Sequence, residues 1–330
     1  MQYRKFGATD LMVSETGFGA WAIGGGAMVG PTPIGWGDAD DSVSEKALAA
    51  ALDAGINFFD TADIYGLGHS ETLIGRVLGN RPDVLVATKV GNVAREGQFT
   101  VDYTKNHILA ACEASLRRLK RETIEYYQLH TARMAHLQQG DCLEAMEQLQ
   151  QQGKIRYWGI SLNTFYPDAE ADFFMAQSCG HGFQLVWNLM NQRATGVIEK
   201  AAAKGYGVIA RMPLQFGLLT GKISRTAGFA SNDHRNSRLT PTIIDATLTI
   251  LETKVWPMCE RYGCSPLALA MAFVLGTPGI SVQIPGIRTP QQAVANSAAL
   301  PVLQVEDWQY LRGLAASDWA RVMELIEKQG

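Results

Sequence analysis

Residues 42–60 read SVSEKALAAALDAGINFFD: an amphipathic helical stretch over Ser42–Ala54, a glycine, and a short apolar run that ends in a carboxylate. Glycine after a helix adopts the left-handed conformation that other residues resist, so Gly55 predicts a helix stop followed by a strand. The same device recurs at Gln152-Gly153 and Lys204-Gly205. Working outward, short β-rich runs alternate with longer helical ones along most of the chain. The predicted strands are Glu15–Gly19, Phe58–Asp60, Val84–Lys89, Glu125–His130, Ile155–Ser161, Gly182–Asn188, Gly207–Arg211 and Ile280–Pro285. The predicted helices after Ser42–Ala54 are Ser70–Leu78, Thr104–Leu119, Gly140–Gln152, Pro167–Ser178, Ala194–Lys204, Asp245–Tyr262, Ser265–Leu275 and Thr289–Ala298. Thr104 and Ser70 are expected as N-caps, and Pro266 sits at a first helical position. Parallel strands need crossover connections, and eight strands with covering helices close into a barrel. The expectation is a single (β/α)8 TIM-barrel domain over residues 1–330. It has an N-terminal hairpin within Tyr3–Val13 and a terminal amphipathic helix from Glu306, added to the helices before it.

Composition narrows the function. The 330 residues are 47% hydrophobic and 18% charged, enough for a large core, and the net charge of −3 offers no broad basic surface for nucleic acid or an anionic membrane. No apolar run is long enough for a membrane span, and the opening MQYRKFGATD has no signal-like apolar segment, so a cytoplasmic protein acting on a small molecule is expected. Cys112, Cys142, Cys179, Cys259 and Cys264 are scattered and read as free thiols, with no metal site. Oligomeric state is left open.

Two segments interrupt the rhythm, Trp21–Asp41 with its Gly24-Gly25-Gly26, and Met212–Thr240. Both read as long loops on the face where strand C-termini converge, which in such barrels is the active-site face. Asp60, Lys89 and His130 end three different predicted strands, and Tyr65 follows Asp60 closely. Singly, each has an ordinary reading as a cap, a rim lysine, a core histidine or a packing aromatic. Together they suit carbonyl reduction, in which hydride arrival creates an alkoxide that needs a positioned proton donor. Tyr65 supplies the proton, Lys89 is expected to favour its phenolate and bring it nearer neutrality, Asp60 pairs with Lys89, and neutral His130 holds the carbonyl oxygen.

These residues lie in segments that resemble the aldo-keto reductase superfamily over nearly the whole chain. NFFDTADIYGLGHSE at 57–71, ATKVG around Lys89 and YYQLH ending at His130 resemble the segments that carry the family's catalytic tetrad. The resemblance implies a nicotinamide dinucleotide as cofactor and a small-molecule aldehyde or ketone as substrate, and the charge of Arg288 leads to the expectation of NADPH, with NADH less favoured. GKIRYWGIS and Gln184 imply that Ser161 and Gln184 hold the nicotinamide carboxamide; Leu162 followed by Asn163 departs from the usual asparagine directly after the serine. RMPLQFGLLTGK at 211–222 implies cofactor contacts at Arg211, Met212, Pro213, Leu214, Gly217, Leu219, Gly221 and Lys222, with Arg211 where many relatives carry an aromatic that stacks on nicotinamide. PGIRTPQQAVAN implies an adenosine-phosphate site at Gly286, Arg288, Gln292 and Asn296, with Arg288 pairing a 2′-phosphate. Gly19, Ala20 and Trp21 resemble the floor beside the nicotinamide. Trp21 and Trp36 are the candidate substrate contacts, with Trp187 a weaker one.

Gly17–Ala22 matches G-x-G-x-x-A, but the run continues into more glycines instead of opening a helix, which argues against a Rossmann dehydrogenase. The histidines lack paired ligand spacing, which argues against a metal-dependent barrel hydrolase. The alternative from another functional class is a cofactor-sensing regulatory subunit resembling potassium-channel β subunits, which keep this fold and tetrad.

Overall fold

In the computed structural model, which describes residues 1–329 apart from the side chains of Thr32 and Pro33, the helix–glycine–strand device appears where the sequence places it. Helix Asp41–Asp53 begins where the Asp40 carboxylate accepts the N–H groups of Ser42 and Val43, and the chain turns at Gly55 with φ 88°. Gly153 and Gly205 repeat that left-handed turn at φ 71° and 77°.

Eight parallel strands follow in sequence order around the sheet: β1 Phe18–Gly19, β2 Phe58–Asp60, β3 Leu85–Val90, β4 Ile124–His130, β5 Ile155–Ser161, β6 Gly182–Val186, β7 Gly207–Arg211 and β8 Val282–Ile284. Bridges from Thr16 to Gln283 and from Gly19 to Gly286 join the first strand to the last. At this seam the Gly17 and Gly19 amides donate to the Gln283 and Pro285 carbonyls at 2.8 and 3.0 Å. A Cβ on Gly19 would stand 2.8 Å from the Pro285 oxygen, so only glycine lets the two strand ends approach this closely.

Side-chain alternation sorts the strands into two layers. Phe59, Tyr127, Leu129, Ile160, Phe183, Val208 and Ala210 face outward into the main core under the helices. Phe58, Leu85, Ala87, Tyr126, Ile209, Val282 and Ile284 face inward and fill the lower barrel with Phe6, Leu11 and Val13 from the N-terminal segment. The predicted hairpin pairs Tyr3–Lys5 with Met12–Ser14, and Phe6 caps the barrel floor, its ring centroid 4.9 Å from that of Tyr126. Gly182 and Gly207 make room for it, since a Cβ at either would lie 2.8 or 2.6 Å from the Phe6 ring.

Several expectations change. Ser70 does not cap its helix. The helix His69–Val77 follows Gly68 at φ 94°, and Ser70 Oγ instead donates to the Ala20 carbonyl at 3.0 Å. The predicted helix Asp245–Tyr262 starts earlier, at Pro241, where Thr240 caps the Ile243 amide. It widens into a π-turn over Leu251–Val255 and resumes at Pro257–Tyr262, because Pro257 has no N–H to continue the ladder. The terminal segment forms two helices, Val305–Gly313 and Asp318–Glu327, rather than one. The loop after β1 contains a small hairpin, Ala27–Val29 with Thr32–Ile34, and another unpredicted hairpin, Asn92–Arg95 with Gln98–Val101, follows β3. The second has an exposed outer strand and little apolar alternation for a sequence reading to detect. Among the described residues no helix is long and apolar enough to cross a membrane.

Phe6 is fully buried on the barrel axis, so Phe6→Ala is expected to lower the unfolding free energy by about 3–5 kcal/mol, read from a denaturant titration.

Candidate active site

The alternation that fills the lower barrel continues to its mouth. Asp60 lies two residues past inward-facing Phe58, Lys89 two past Ala87, and Gln128 and His130 two and four past Tyr126, so all four point inward at the strands' C-terminal ends. The registers align them: Lys89 sits opposite Gln128, His130 opposite Ser161, and Ser161 opposite Gln184.

At the centre, Lys89 Nζ donates to Asp60 Oδ1 at 2.6 Å, to the Thr61 carbonyl at 2.7 Å and to Tyr65 Oη at 3.3 Å. Its three protons are thereby used, and the side chain has no solvent exposure. Burial alone would weaken its hold on the proton, but Asp60 and Tyr65 outweigh burial and raise the Lys89 pKa above that of an ordinary lysine. The other Asp60 oxygen accepts from Gln184 Nε2 at 2.6 Å and Gln128 Nε2 at 3.2 Å.

Tyr65 reaches this group because the chain after it bends through three left-handed residues, Gly66, Leu67 and Gly68, at φ 58°, 54° and 94°. Gly66 is required there, since a Cβ would overlap the Gly24 carbonyl of the first long loop at 2.1 Å. With Lys89 donating to its oxygen, the Tyr65 hydroxyl keeps its own proton for the cleft. Burial raises the phenol pKa above its ordinary value and prevails over the lowering effect of Lys89, so the expected net shift toward neutrality is reversed in the free protein. The phenol is therefore protonated near neutral pH.

His130 completes the cluster, its ring centroid 5.9 Å from that of Tyr65. Its Nδ1 is buried without a hydrogen-bond partner. Burial, aided by Lys89 and Arg211, pushes its pKa well below 6.5, so the ring is neutral near pH 7. The Tyr103 hydroxyl donates to the His130 carbonyl at 2.6 Å and fixes the strand end.

These groups open into a cleft of about 840 Å³. It is also lined by Gly19, Ala20, Trp21, Trp36, Ser161, Gln184, Arg211, Met212, Pro213, Leu214, Gly217, Lys222, Gly286, Gln292 and Asn296. Three other candidates lie away from it. Leu219 is buried in the core, Gly221 abuts Pro266, and Arg288 faces a shallow depression with Asp38, Asp40 and Asp41 while donating to the Trp36 carbonyl at 3.1 Å. Trp187 is also outside, buried beside Phe273 and donating to Thr277 Oγ1 at 2.9 Å. Asn163 spends its Oδ1 on the Phe165 and Tyr166 amides, both at 2.9 Å, and Leu162 is buried in the outer core.

The sequence reading missed Phe99, Thr164, Phe165, Phe216, His234 and Ile326, which share the lining. His234 joins the two long loops: its Nδ1 lies 3.0 Å from the Gly35 carbonyl, and its Nε2 accepts from Trp36 Nε1 at 3.4 Å. Nothing in the local sequence of either loop signals that contact.

The cleft fits a nicotinamide dinucleotide. Its volume is in the range of cofactor sites, and buried polar atoms without partners, His130 Nδ1, Trp21 Nε1 and Arg211 Nε, belong to residues around it. Comparison with known proteins agrees, for residues 15–316 match the Aldo/keto reductase family. The chain belongs to that family. An aldo-keto reductase of Bacillus subtilis is 30% identical over 309 residues, covering 90% of this chain and 88% of the relative. A probable voltage-gated potassium channel subunit beta of Oryza sativa is 26% identical over 322 residues, covering 92% of each. Among solved structures, the glycerol dehydrogenase of Gluconobacter oxydans superposes with a TM-score of 0.80 at 28% identity, covering 96% of this chain and 95% of its own. An aldo-keto reductase of Bacillus halodurans in its holo form gives 0.77 at 27% identity, covering 96% of both chains. Membership makes this aldo/keto reductase one of a family of nicotinamide-using oxidoreductases, and its barrel is theirs.

Removing one partner of a buried ion pair leaves the other charge uncompensated. Lys89→Met is therefore expected to cost about 3–5 kcal/mol of unfolding free energy, and adding Asp60→Asn to recover part of it, as measured in a double-mutant cycle.

Proposed function

We propose that this aldo/keto reductase works as one barrel domain that reduces an aldehyde or ketone to an alcohol, and runs the reverse oxidation, with NADPH as preferred cofactor. The observation that carries the reading is the Tyr65 hydroxyl, held by Lys89 through its oxygen, its proton free, beside a neutral histidine at the end of a deep cleft. When bound, the reduced nicotinamide supplies a hydride to the carbonyl carbon. His130 donates a hydrogen bond to the substrate's carbonyl oxygen and orients it. Tyr65 gives its proton to that oxygen as negative charge develops there. The Lys89 ammonium, fixed by Asp60, stabilises the phenolate left on Tyr65 until a solvent proton replaces the one transferred. In the oxidation direction the same phenolate takes the alcohol proton. Trp21 and Trp36 wall the substrate and exclude water.

For the dinucleotide, we assign Gly19, Ala20, Trp21, Ser161, Gln184 and Arg211 to the nicotinamide end. Met212, Pro213, Leu214, Gly217 and Lys222 serve the middle, with Leu219 and Gly221 holding that loop in place. Gly286, Arg288, Gln292 and Asn296 serve the adenosine end. Gln184 would exchange its bond to Asp60 for the carboxamide. Arg288 favours NADPH by pairing a 2′-phosphate, against the opposing charge of Asp38, Asp40 and Asp41 on the same depression.

Tyr65→Phe is expected to cut turnover at least a hundredfold, the scale of one general acid, while leaving the NADPH dissociation constant within about twofold. Wild-type-like turnover of a panel of aldehydes by this variant would remove Tyr65 from the role. The reductive kcat should show no inflection near pH 6.5, because His130 is already neutral there, and should fall only on the alkaline side as the Tyr65 proton is lost. A titration midpoint near 6.5 that vanishes in His130→Gln would mean that the ring is not held neutral. Arg288→Ala should weaken NADPH about tenfold and NADH hardly at all, with equal losses counting against the 2′-phosphate assignment.

The rice relative favours a second reading, a cofactor-sensing regulatory subunit. Tight NADPH binding with negligible steady-state reduction across the panel, and a co-purifying partner, would select it over the enzyme.

A further inference from the structure

Among the described residues, cations withdrawn from solvent are generally matched: Lys89 by Asp60, Arg118 by Glu71, Arg121 by Glu125 and Arg235 by Asp233. Arg211 departs from that pattern. It ends β7, lines the cleft, and has no ion-pair partner. One terminal nitrogen donates to the Leu162 carbonyl at 3.3 Å and to Thr164 Oγ1 at 3.0 Å, the other lies 3.3 Å from Met212 Sδ, and Nε is buried with no partner. These neutral contacts fix the guanidinium plane but do not neutralise it. The nearby carboxylate, Asp60, is already engaged by Lys89, Gln128 and Gln184.

A guanidinium does not give up its proton in a protein, and Arg211, half-buried at the cleft wall, carries its charge there without a counter-charge. Its field reaches Tyr65 and His130, the two groups that flank the reacting carbonyl. A ring delivering hydride there must come within about 3–3.5 Å of the carbonyl carbon, which brings it into the same field. That field is nearly indifferent to a neutral ring and opposes a cationic one.

We propose that Arg211 makes the cleft discriminate between the two redox states of the nicotinamide, holding the neutral reduced ring and disfavouring the cationic oxidised ring. This deepens the cofactor reading above and rests on it. Hydride transfer moves two electrons and one hydrogen nucleus from ring to carbonyl carbon and leaves a positive charge on the ring. Arg211 therefore opposes retention of the oxidised nucleotide and hastens its departure, a step that limits turnover in many enzymes. At effective dielectric about 20 and a separation of roughly 6–8 Å, one unit charge changes a binding constant about thirty- to a hundredfold.

The test is a set of equilibrium dissociation constants for NADPH and NADP⁺, read by quenching of tryptophan fluorescence, for the wild-type protein, Arg211→Met and Arg211→Lys. The wild type should bind the reduced form at least about tenfold tighter than the oxidised one. Arg211→Met should erase most of that preference by tightening NADP⁺, while Arg211→Lys, which keeps the charge, should preserve it. A preference unchanged in Arg211→Met overturns the proposal. So does a wild-type ratio near one, which decides the matter even if the variant does not fold. Failure of the wild type to bind either nucleotide would instead bring down the cofactor reading itself.

Discussion

The strict alternation of side chains along eight closed strands is the constraint on which both core and site depend. Once Phe58, Ala87 and Tyr126 are committed to the barrel interior, Asp60, Lys89, Gln128 and His130 have no freedom to face elsewhere. A one-residue slip of any strand would exchange its part of the site for outer core. The apolar plug below and the polar cluster above are thus one arrangement read at two heights. Stability and chemistry share the same register.

The charged pair of the polar layer is tolerable in that interior because its neighbours satisfy it. Lys89 uses every proton it has, and Asp60 accepts from three side chains. Among the buried polar atoms left without a partner, three belong to residues that line the cleft: one nitrogen of His130, one of Trp21 and one of Arg211. An unpartnered polar atom that borders a cavity is a place where a ligand's own polar atoms can bind.

The barrel and the central cluster were legible because they rest on periodic signals. Helix ends carry glycine, strand ends carry the polar residue, and closure brings distant strand ends together. The rest obeyed no period. His234 meets Trp36 and Gly35 across about two hundred residues of sequence, and Ile326 joins the cleft lining from the terminal helix. Ser70 looked like a cap because its residue type suits one, yet the preceding glycine turn leaves its hydroxyl free for Ala20. The Tyr65 shift runs opposite to the sequence expectation for a related reason. A neighbouring lysine is visible in a sequence, whereas the extent of burial that outweighs it is a property of the folded whole.

The seam between β1 and β8 sets an order on the birth of the molecule. Arg4 donates to the carbonyls of Leu275 and Ile280, and Gly17 and Gly19 bond to Gln283 and Pro285, so the first strand waits for its last partner until the great majority of the chain has left the ribosome. Contacts this remote in sequence form slowly, and until they do β1 is an open edge with unpaired amides and Phe6 has no complete floor to cap. A chain interrupted before Ile284 would therefore display an exposed strand beside an unfilled barrel, the kind of surface that chaperones engage and that seeds aggregation.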